Sequence, residues 1–485
     1  MGETDPLGPP SGGSVPPFVT YLAMIALLVG AVLVAFWEYL MSLYFLMALA
    51  WLVVAGGLAA TPLFRGLSSA SGLRLTMVVL GVAVAWRFLM LFQDQVLTND
   101  VVVFVGRGQA FLHGVTPYTD DLTVNKPPGY LLLAAGMGAT VGPSLVATRT
   151  IMSLVDSLVA VLIFWLGEER FSRSFGLMAG LLYAINPISA ITIGISGHYD
   201  PWPVLFALGG VWLMLRHRLA GASLLLGVGF ALKLYPIVLL PWVLLAERSW
   251  PRRVGLVIVF AIPMALAWAP ILVQNPDAIA FYLDYQGSWE PKGGIAHGIV
   301  TVMGIDPASD LAVVVARAVE VVFYVLLAVM FIDWVRRREV SPDAHLLTWF
   351  KMVTVGFVAL YGAILVSGLV EYEVDIGIGN AASTALLNLL YIALAAVMLW
   401  WAWTRWLPGD HGFEADDRMV MLAALSVNLL LLGSAQYNAW YLLWLLPLVL
   451  LVRSWRIRDL WNALLVWRAE GKGFTIIPGS DLGPK

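Results

Sequence analysis

The sequence predicts an all-α polytopic membrane protein, a bundle of about thirteen transmembrane helices with short helices lying along one membrane face. Two observations carry this reading. Apolar runs of bilayer-crossing length recur from about residue 18 to residue 453, in a 485-residue chain that is 60% hydrophobic and only 12% charged. Arginines gather between those runs, in "EERFSRS", "RHRLAG", "ERSWPRR", "WVRRRE" and "RSWRIR", and the cytoplasmic bias of Lys and Arg orients the bundle.

Taken in order, residues 1–17 are acidic and rich in Pro and Gly, lack the basic start of a secretory signal, and read as a disordered tail. Windows at 18–36 and 39–60 form an N-terminal hairpin within 18–71. Windows at 72–93, 145–167, 175–194, 201–216, 219–246 and 254–273 make up a module over 72–273. Those at 310–335, 346–369, 380–404, 418–434 and 437–453 fall in a second module over 274–453, followed by a cytoplasmic tail, 454–485.

One window conflicts with simple alternation. Both "RHRLAG" and "ERSWPRR" flank 219–246, so a single crossing would put one arginine cluster outside. Inside it, "ALKLYPIVLLP" has Pro236 to interrupt a helix and Lys233 at the break, which predicts a re-entrant pair with Lys233 at its apex. Every arginine cluster and both termini then lie in the cytoplasm. Outside are 94–128, 195–201, 274–309, 370–380 and 434–438, and the long loops 94–128 and 274–309 are the places to look for binding and chemistry.

Several function classes drop out. A formal charge of −3 without a concentrated basic face gives no case for nucleic-acid binding. With no cysteine, disulfides, thiolate catalysis and Cys-ligated zinc are excluded. No Gly-rich phosphate loop sits between a strand and a helix, so a soluble nucleotide donor is not expected. His297 has no second histidine at ligand spacing; no metal site is expected there, with the use of a divalent cation left open.

The candidate chemistry is external. Asp100 follows the third apolar run, and Val101, Phe104, Val105, Gly108, Phe111 and Leu112 then repeat at helical spacing, as in a short helix lying in the interface. By position alone Asp100 serves equally as that helix's N-cap. Next come "GVTPY", with Tyr118, and "NKPPGYLLLAA", with Lys126 and paired prolines suited to helix entry. "GISGHYDPWPVLF" brings His198, Tyr199 and Asp200 to the outer end of another span. Arg87, Arg149, Lys233 and Arg317 all fall in outer halves of apolar segments, with Asp156 near mid-span. Ordinary readings exist: snorkelling for Arg87 and Arg149, and an Arg317–Glu320 pair on one helix face. Converging cations also suit the phosphate of a lipid carrier at headgroup level. The 274–309 loop adds aromatics with Asp284, Glu290, Lys292 and His297, groups that can hold a sugar ring.

The order of "NDVVVFVGRGQAFLHGVTPY", "NKPPGYLLLAA", "GHYDPWPVLFALGGVWLM" and "GASLLLGVGFALKLYPIVLLPWVLL" resembles the GT-C glycosyltransferases, most closely their mannosyltransferase-like branch, over about 72–273. The stretch "SAQYNAWYLLWLLPLVLL" is more weakly similar. The resemblance implies a polytopic transferase that takes a sugar, mannose by preference, from a polyprenyl-phosphate carrier and passes it to a glycan, glycolipid or protein acceptor. It makes Asp100 the inverting general base and matches Lys126, Asp200 and Lys233 to the family's Pro-Pro segment, polar helix end and Lys/Pro break; the chemistry of the reaction then gives the donor phosphate to Lys233, Arg87, Arg317 and Lys126, and sugar or acceptor contacts to Asp200, His198, Tyr199, Tyr118 and Tyr437. No cofactor is expected, a divalent cation being left open, and in a prokaryote the active face is expected to point outward from the plasma membrane. Family members commonly reach the catalytic loop after one span; here it follows three, hence the extra hairpin. The rival class is a transporter or flippase of lipid-linked sugars, which also uses many spans and broken helices, but no convincing internal repeat is visible.

Overall fold

The structure is a computed structural model and describes residues 70–91, 100–288, 290–291, 295–337, 346, 348–350, 352, 415–434 and 441–451. The predicted tails, the hairpin and the windows near 346–369 and 380–404 lie wholly or mostly outside them, as do Tyr437 and Lys292. Among the described residues every regular element is helical. The main ones are α1 (Gly72–Leu91), α2 (Asp100–Leu112), α3 (Pro128–Val141), α4 (Leu145–Arg170), α5 (Arg173–Ala184), α6 (Pro201–Leu215), α7 (Leu219–Leu232), α8 (Leu240–Ala246), α9 (Trp250–Gln274), α10 (Ala278–Gly287), α11 (Ile295–Val302), α12 (Asp310–Arg337), α13 (Ala415–Gly433) and α14 (Leu442–Leu450).

Of these, α1, α4, α9 and α12 are long and apolar enough to cross a membrane. They differ in what surrounds them. α4 is mostly enclosed, packed against α1, α5 and α6. α9 and α12 turn Leu266, Val273, Ile258, Val314 and Val321 outward, the face expected of a helix bathed in acyl chains.

Local signals set the boundaries. Ser144 and Ser172 cap α4 and α5, their hydroxyls accepting from the Ala147 and Phe175 amides. Prolines open α3 and α6, where a missing N–H costs nothing. His217, at φ 56°, reverses the chain between α6 and α7.

Two predicted windows are broken. The run at 175–194 is not one helix: α5 ends before Asn186–Pro187, and a short turn leads into a π-helix, Ala190–Ile195. The run at 219–246 breaks where expected, with Lys233 extended (φ −158°, ψ 137°) before a 3₁₀ turn, Tyr235–Leu239, and α8. Gly129 on α3 lies directly on the chain at Ala231; a Cβ there would stand 2.6 Å from the Ala231 carbonyl oxygen. That contact sets the start of α3, and Lys126 just before it, against the end of α7 and Lys233.

Candidate active site

Four segments far apart in sequence meet at helix ends: the start of α2, the loop entering α3, the exit of the π-helix, and the break after α7. Two of the loops predicted to lie outside, 94–128 and 195–201, and the predicted break at Lys233 supply these segments. Asp100 is the first residue of α2, and its Oδ2 lies 3.2 Å from Nε2 of His198. The other ring nitrogen, Nδ1, is 3.8 Å from Asp200 Oδ2. Asp200 Oδ1 accepts from Lys233 Nζ at 2.6 Å and from Trp444 Nε1 at 2.6 Å.

Burial grades along this row. Asp200 is fully buried, His198 is 3% exposed, and the Asp100 side chain is 51% exposed, so the row opens to solvent at Asp100. Lys233 sits against three rings, 5.0 Å from the centroid of Tyr199 and 4.7 Å from those of Tyr441 and Trp444. An ammonium withdrawn from water is stabilised here by one carboxylate and by π faces together. Trp444 is itself stacked between Tyr235 and Tyr441, each centroid 4.4 Å away.

The backbone that delivers His198 is held by Arg149. Its Nε and Nη2 donate to the Gly194 carbonyl at 3.0 and 2.7 Å, and Nη2 donates to Met90 O at 3.0 Å. Helix ends inside a membrane leave carbonyls without partners, and the guanidinium supplies them. Gly197 then turns at φ 65°, and a Cβ on it would meet Arg149 Cγ at 2.7 Å. Only glycine fits both the dihedral and the space.

Lys126 joins the cluster from the α3 loop. Burial, reinforced by the neighbouring charge of Lys233, pushes its pKa down to about 8 against the pull of Asp100 and Asp200. Burial likewise lowers His198 below the ordinary imidazole range, and the two carboxylates only partly offset it. Arg107, one to two turns beyond Asp100 on α2, donates to Asn125 at 3.0 Å and stands over the Tyr130 ring. With His198 neutral, two carboxylates face three cations, Lys126, Lys233 and Arg107. The excess positive charge suits an anionic substrate group.

Tyr118 has a supporting position. Its hydroxyl donates to the Lys126 carbonyl at 2.8 Å, its ring packs on Trp268 and Tyr282, and Asn275 donates to its own carbonyl at 3.0 Å. It fixes the loop that carries Lys126. Arg317 is drawn elsewhere: it pairs with Glu320 at 2.6 Å and donates to the Gln286 and Gly287 carbonyls at the end of α10. Gln286 in turn donates to the Asn125 carbonyl at 2.8 Å.

Arg87 also stays out of the cluster. Fully buried, it bonds Asp156 at 2.6 Å, Ser189 at 2.6 Å, and the carbonyls of Ala83 and Ala184. Tyr183 and Ser189 donate to the same Asp156 carboxylate. These donors hold α1, α4 and the segment after α5 together, leaving the guanidinium committed to the protein. His297, on α11, contacts the Pro291 carbonyl at 3.2 Å, and among the described residues no group of three His, Asp or Glu side chains is arranged to hold a metal ion.

Sequence reasoning therefore assembled Asp100, Lys126, His198, Tyr199, Asp200 and Lys233, and missed Arg107, Tyr235, Tyr441 and Trp444. Arg107 had a signal: seven residues after Asp100, it shares that helix face.

Residues 126–368, half of the chain, match the family model described as glycosyltransferase family 87. A chain whose described elements are all helical, four of them long and apolar enough to cross a bilayer, and which has this match is a membrane glycosyltransferase. It belongs to glycosyltransferase family 87, whose members are of the GT-C type. The matched segment contains Lys126, His198, Asp200 and Lys233; Asp100 and Arg107 precede it. No curated protein and no solved structure matches the chain.

Proposed function

We propose that the protein transfers a sugar, mannose by preference, from a polyprenyl-phosphate carrier to a hydroxyl of a lipid-linked, glycan or protein acceptor, with inversion. The observation that carries this is Asp100: a half-exposed carboxylate at the open end of an otherwise buried row of charges, beside a surplus of cations.

A sugar on a phosphate carrier is already activated, because the leaving phosphate is a stable anion that needs little protonation. The protein must therefore deprotonate the acceptor and stabilise the departing charge. Asp100 accepts the hydroxyl proton as the acceptor oxygen bonds to the anomeric carbon. The bond from that carbon to the phosphate oxygen breaks on the opposite face. Lys126 and Lys233, with Arg107, supply positive potential for the phosphate. Tyr199, Asp200 and Tyr437 complete the reading as sugar or acceptor contacts.

The accompanying topology has about thirteen spans, a re-entrant pair around Lys233, and the site at the outer face of a prokaryotic plasma membrane. No cofactor enters the steps. Purified protein and Asp100→Asn, given a panel of radiolabelled polyprenyl-phosphate sugars and extracted membrane acceptors, test the reading. Label transfer should occur with the native chain and fall at least about a hundredfold in the variant while folding is kept. Transfer retained in Asp100→Asn would remove the base, and no transfer from any donor would remove the reaction.

A further inference from the structure

We infer that α10 is a strap that positions two of the cations facing the donor phosphate, Lys126 and Arg107. Asn275 and Gln286 are its positioning residues, and Arg317 anchors its far end. The inference rests on the reading of those cations as the phosphate's partners, and it gives Arg317 a part in donor binding at one remove.

The stretch 117–126, between α2 and α3, contains no helix, so its shape depends on what fastens it. Inside it, the Tyr118 amide donates to the Leu122 carbonyl at 3.0 Å and the Tyr118 hydroxyl to that of Lys126 at 2.8 Å. From outside, α10 holds it at both ends. Asn275, just before α10, donates from Nδ2 to the carbonyls of Pro117 at 2.9 Å and Tyr118 at 3.0 Å, while its Oδ1 accepts from the Asp277 amide at 3.1 Å. Near the other end, Gln286 Nε2 donates to the Asn125 carbonyl at 2.8 Å. The ten residues of α10 make a rod about 15 Å long, which sets the span between the two attachments. Midway along it, the buried Tyr282 meets the Tyr118 ring edge-on at 6.0 Å.

The strap is itself tied to a membrane-crossing helix. Arg317 on α12 donates from Nη2 to the Gln286 carbonyl and, at 3.2 Å, to that of Gly287, while Nη1 donates to Glu320 at 2.6 Å. The last carbonyls of a helix lack partners within it, and a cation there also suits the helix dipole. Gln286 is thus held through its backbone and holds the loop through its side chain. The joint is Asn125. Its carbonyl accepts from Gln286, its side-chain oxygen accepts from Arg107 at 3.0 Å, and the residue that follows is Lys126. Beyond Lys126 the chain is fixed again by Gly129 against Ala231. A shift at Asn125 therefore falls on Lys126 and Arg107 together.

Full-length protein in lipid nanodiscs provides the test. Gln286→Leu and Arg317→Leu should each raise donor KM about tenfold with kcat within about threefold, because the loss falls on donor binding. The double variant should be no worse than the poorer single one, since both changes break the same link. Multiplied effects would mean that Arg317 meets the phosphate by itself, and would overturn the strap. A second readout needs no turnover. Burial, Lys233 and Arg107 hold the Lys126 amine near pKa 8 against the pull of Asp100 and Asp200, so its reactivity follows its surroundings. Pulse acetylation at graded pH, read by mass spectrometry of the Lys126 peptide, gives the midpoint. That midpoint should rise toward the ordinary lysine range in Gln286→Leu, and also in Asn275→Leu, which releases the other end of the strap. A midpoint unmoved in both variants, with native thermal stability kept, overturns the strap whatever reaction the protein catalyses. A raised midpoint with unchanged donor KM upholds the strap and removes Lys126 from the phosphate, a failure of the transfer reading alone.

Discussion

Replacing Arg87 with methionine would leave the Asp156 carboxylate without its counter-charge where neither side chain is reached by solvent. Breaking one side of a buried ion pair costs about 3–5 kcal/mol. The Ser189 hydroxyl and the Ala184 carbonyl also lose a partner, at about 1 kcal/mol each. A loss of about 5 kcal/mol is a large share of the stability of an ordinary folded domain. Unfolding in mixed micelles, followed by tryptophan fluorescence, should show both Arg87→Met and Asp156→Leu strongly destabilised. The double variant should recover much of the loss, because no charge is then stranded. Donor KM measured on the surviving folded fraction of Arg87→Met should stay near the native value. If Arg87→Met instead keeps native stability and weakens the donor, the guanidinium serves the phosphate and the structural argument fails.

Further expectations concern the site and its supports. Lys126, with its pKa near 8, loses its charge as pH rises through that value, so donor KM should increase on going from pH 7 to 9.5. Lys126→Arg should abolish the rise, because guanidinium stays charged; an equal rise in both proteins would remove Lys126 from the phosphate. Trp444→Phe keeps the stacked rings but withdraws a donor from Asp200, and should lower transfer with a stability loss of about 1–3 kcal/mol by the same unfolding measurement. Gly197→Ala meets both a positive φ and the Arg149 side chain, and should cost about 2 kcal/mol or more and displace His198. A Gly197→Ala protein with native stability and rate would show that the turn is not constrained as described.

Much of the site was legible because its residues lie at ends of apolar runs, and sidedness alone gathers such ends. Asp100, His198, Asp200 and Lys233 needed only alternation and one re-entrant assumption to fall on the same side. The Arg317–Glu320 pair was legible too, as a three-residue spacing on a helix. Arg87 and Asp156 were not, for they sit 69 residues apart on different helices, and hydropathy does not say which faces of two spans meet. The π-helix escaped because an Ile-rich run reads as an unbroken span in any window that averages over it. Trp444 escaped for a related reason: in "YLLWLLPLVL" an indole looks like one more apolar side chain, and only its N–H distinguishes it.

The hydrogen bond from Trp444 to Asp200 joins residues 244 positions apart. In a chain inserted into the membrane from its N-terminus as it is synthesised, Asp200 and Lys233 enter well before the indole exists. For that interval the pair has to cross the translocation machinery and settle among lipids without its aromatic lid. Completion of the charge row is thus one of the later events of biogenesis, tied to the arrival of α14. A nascent protein halted before Tyr441 would carry Asp100 and the cations Arg107, Lys126 and Lys233, yet would lack a donor and two of the three rings that hold the buried pair in place.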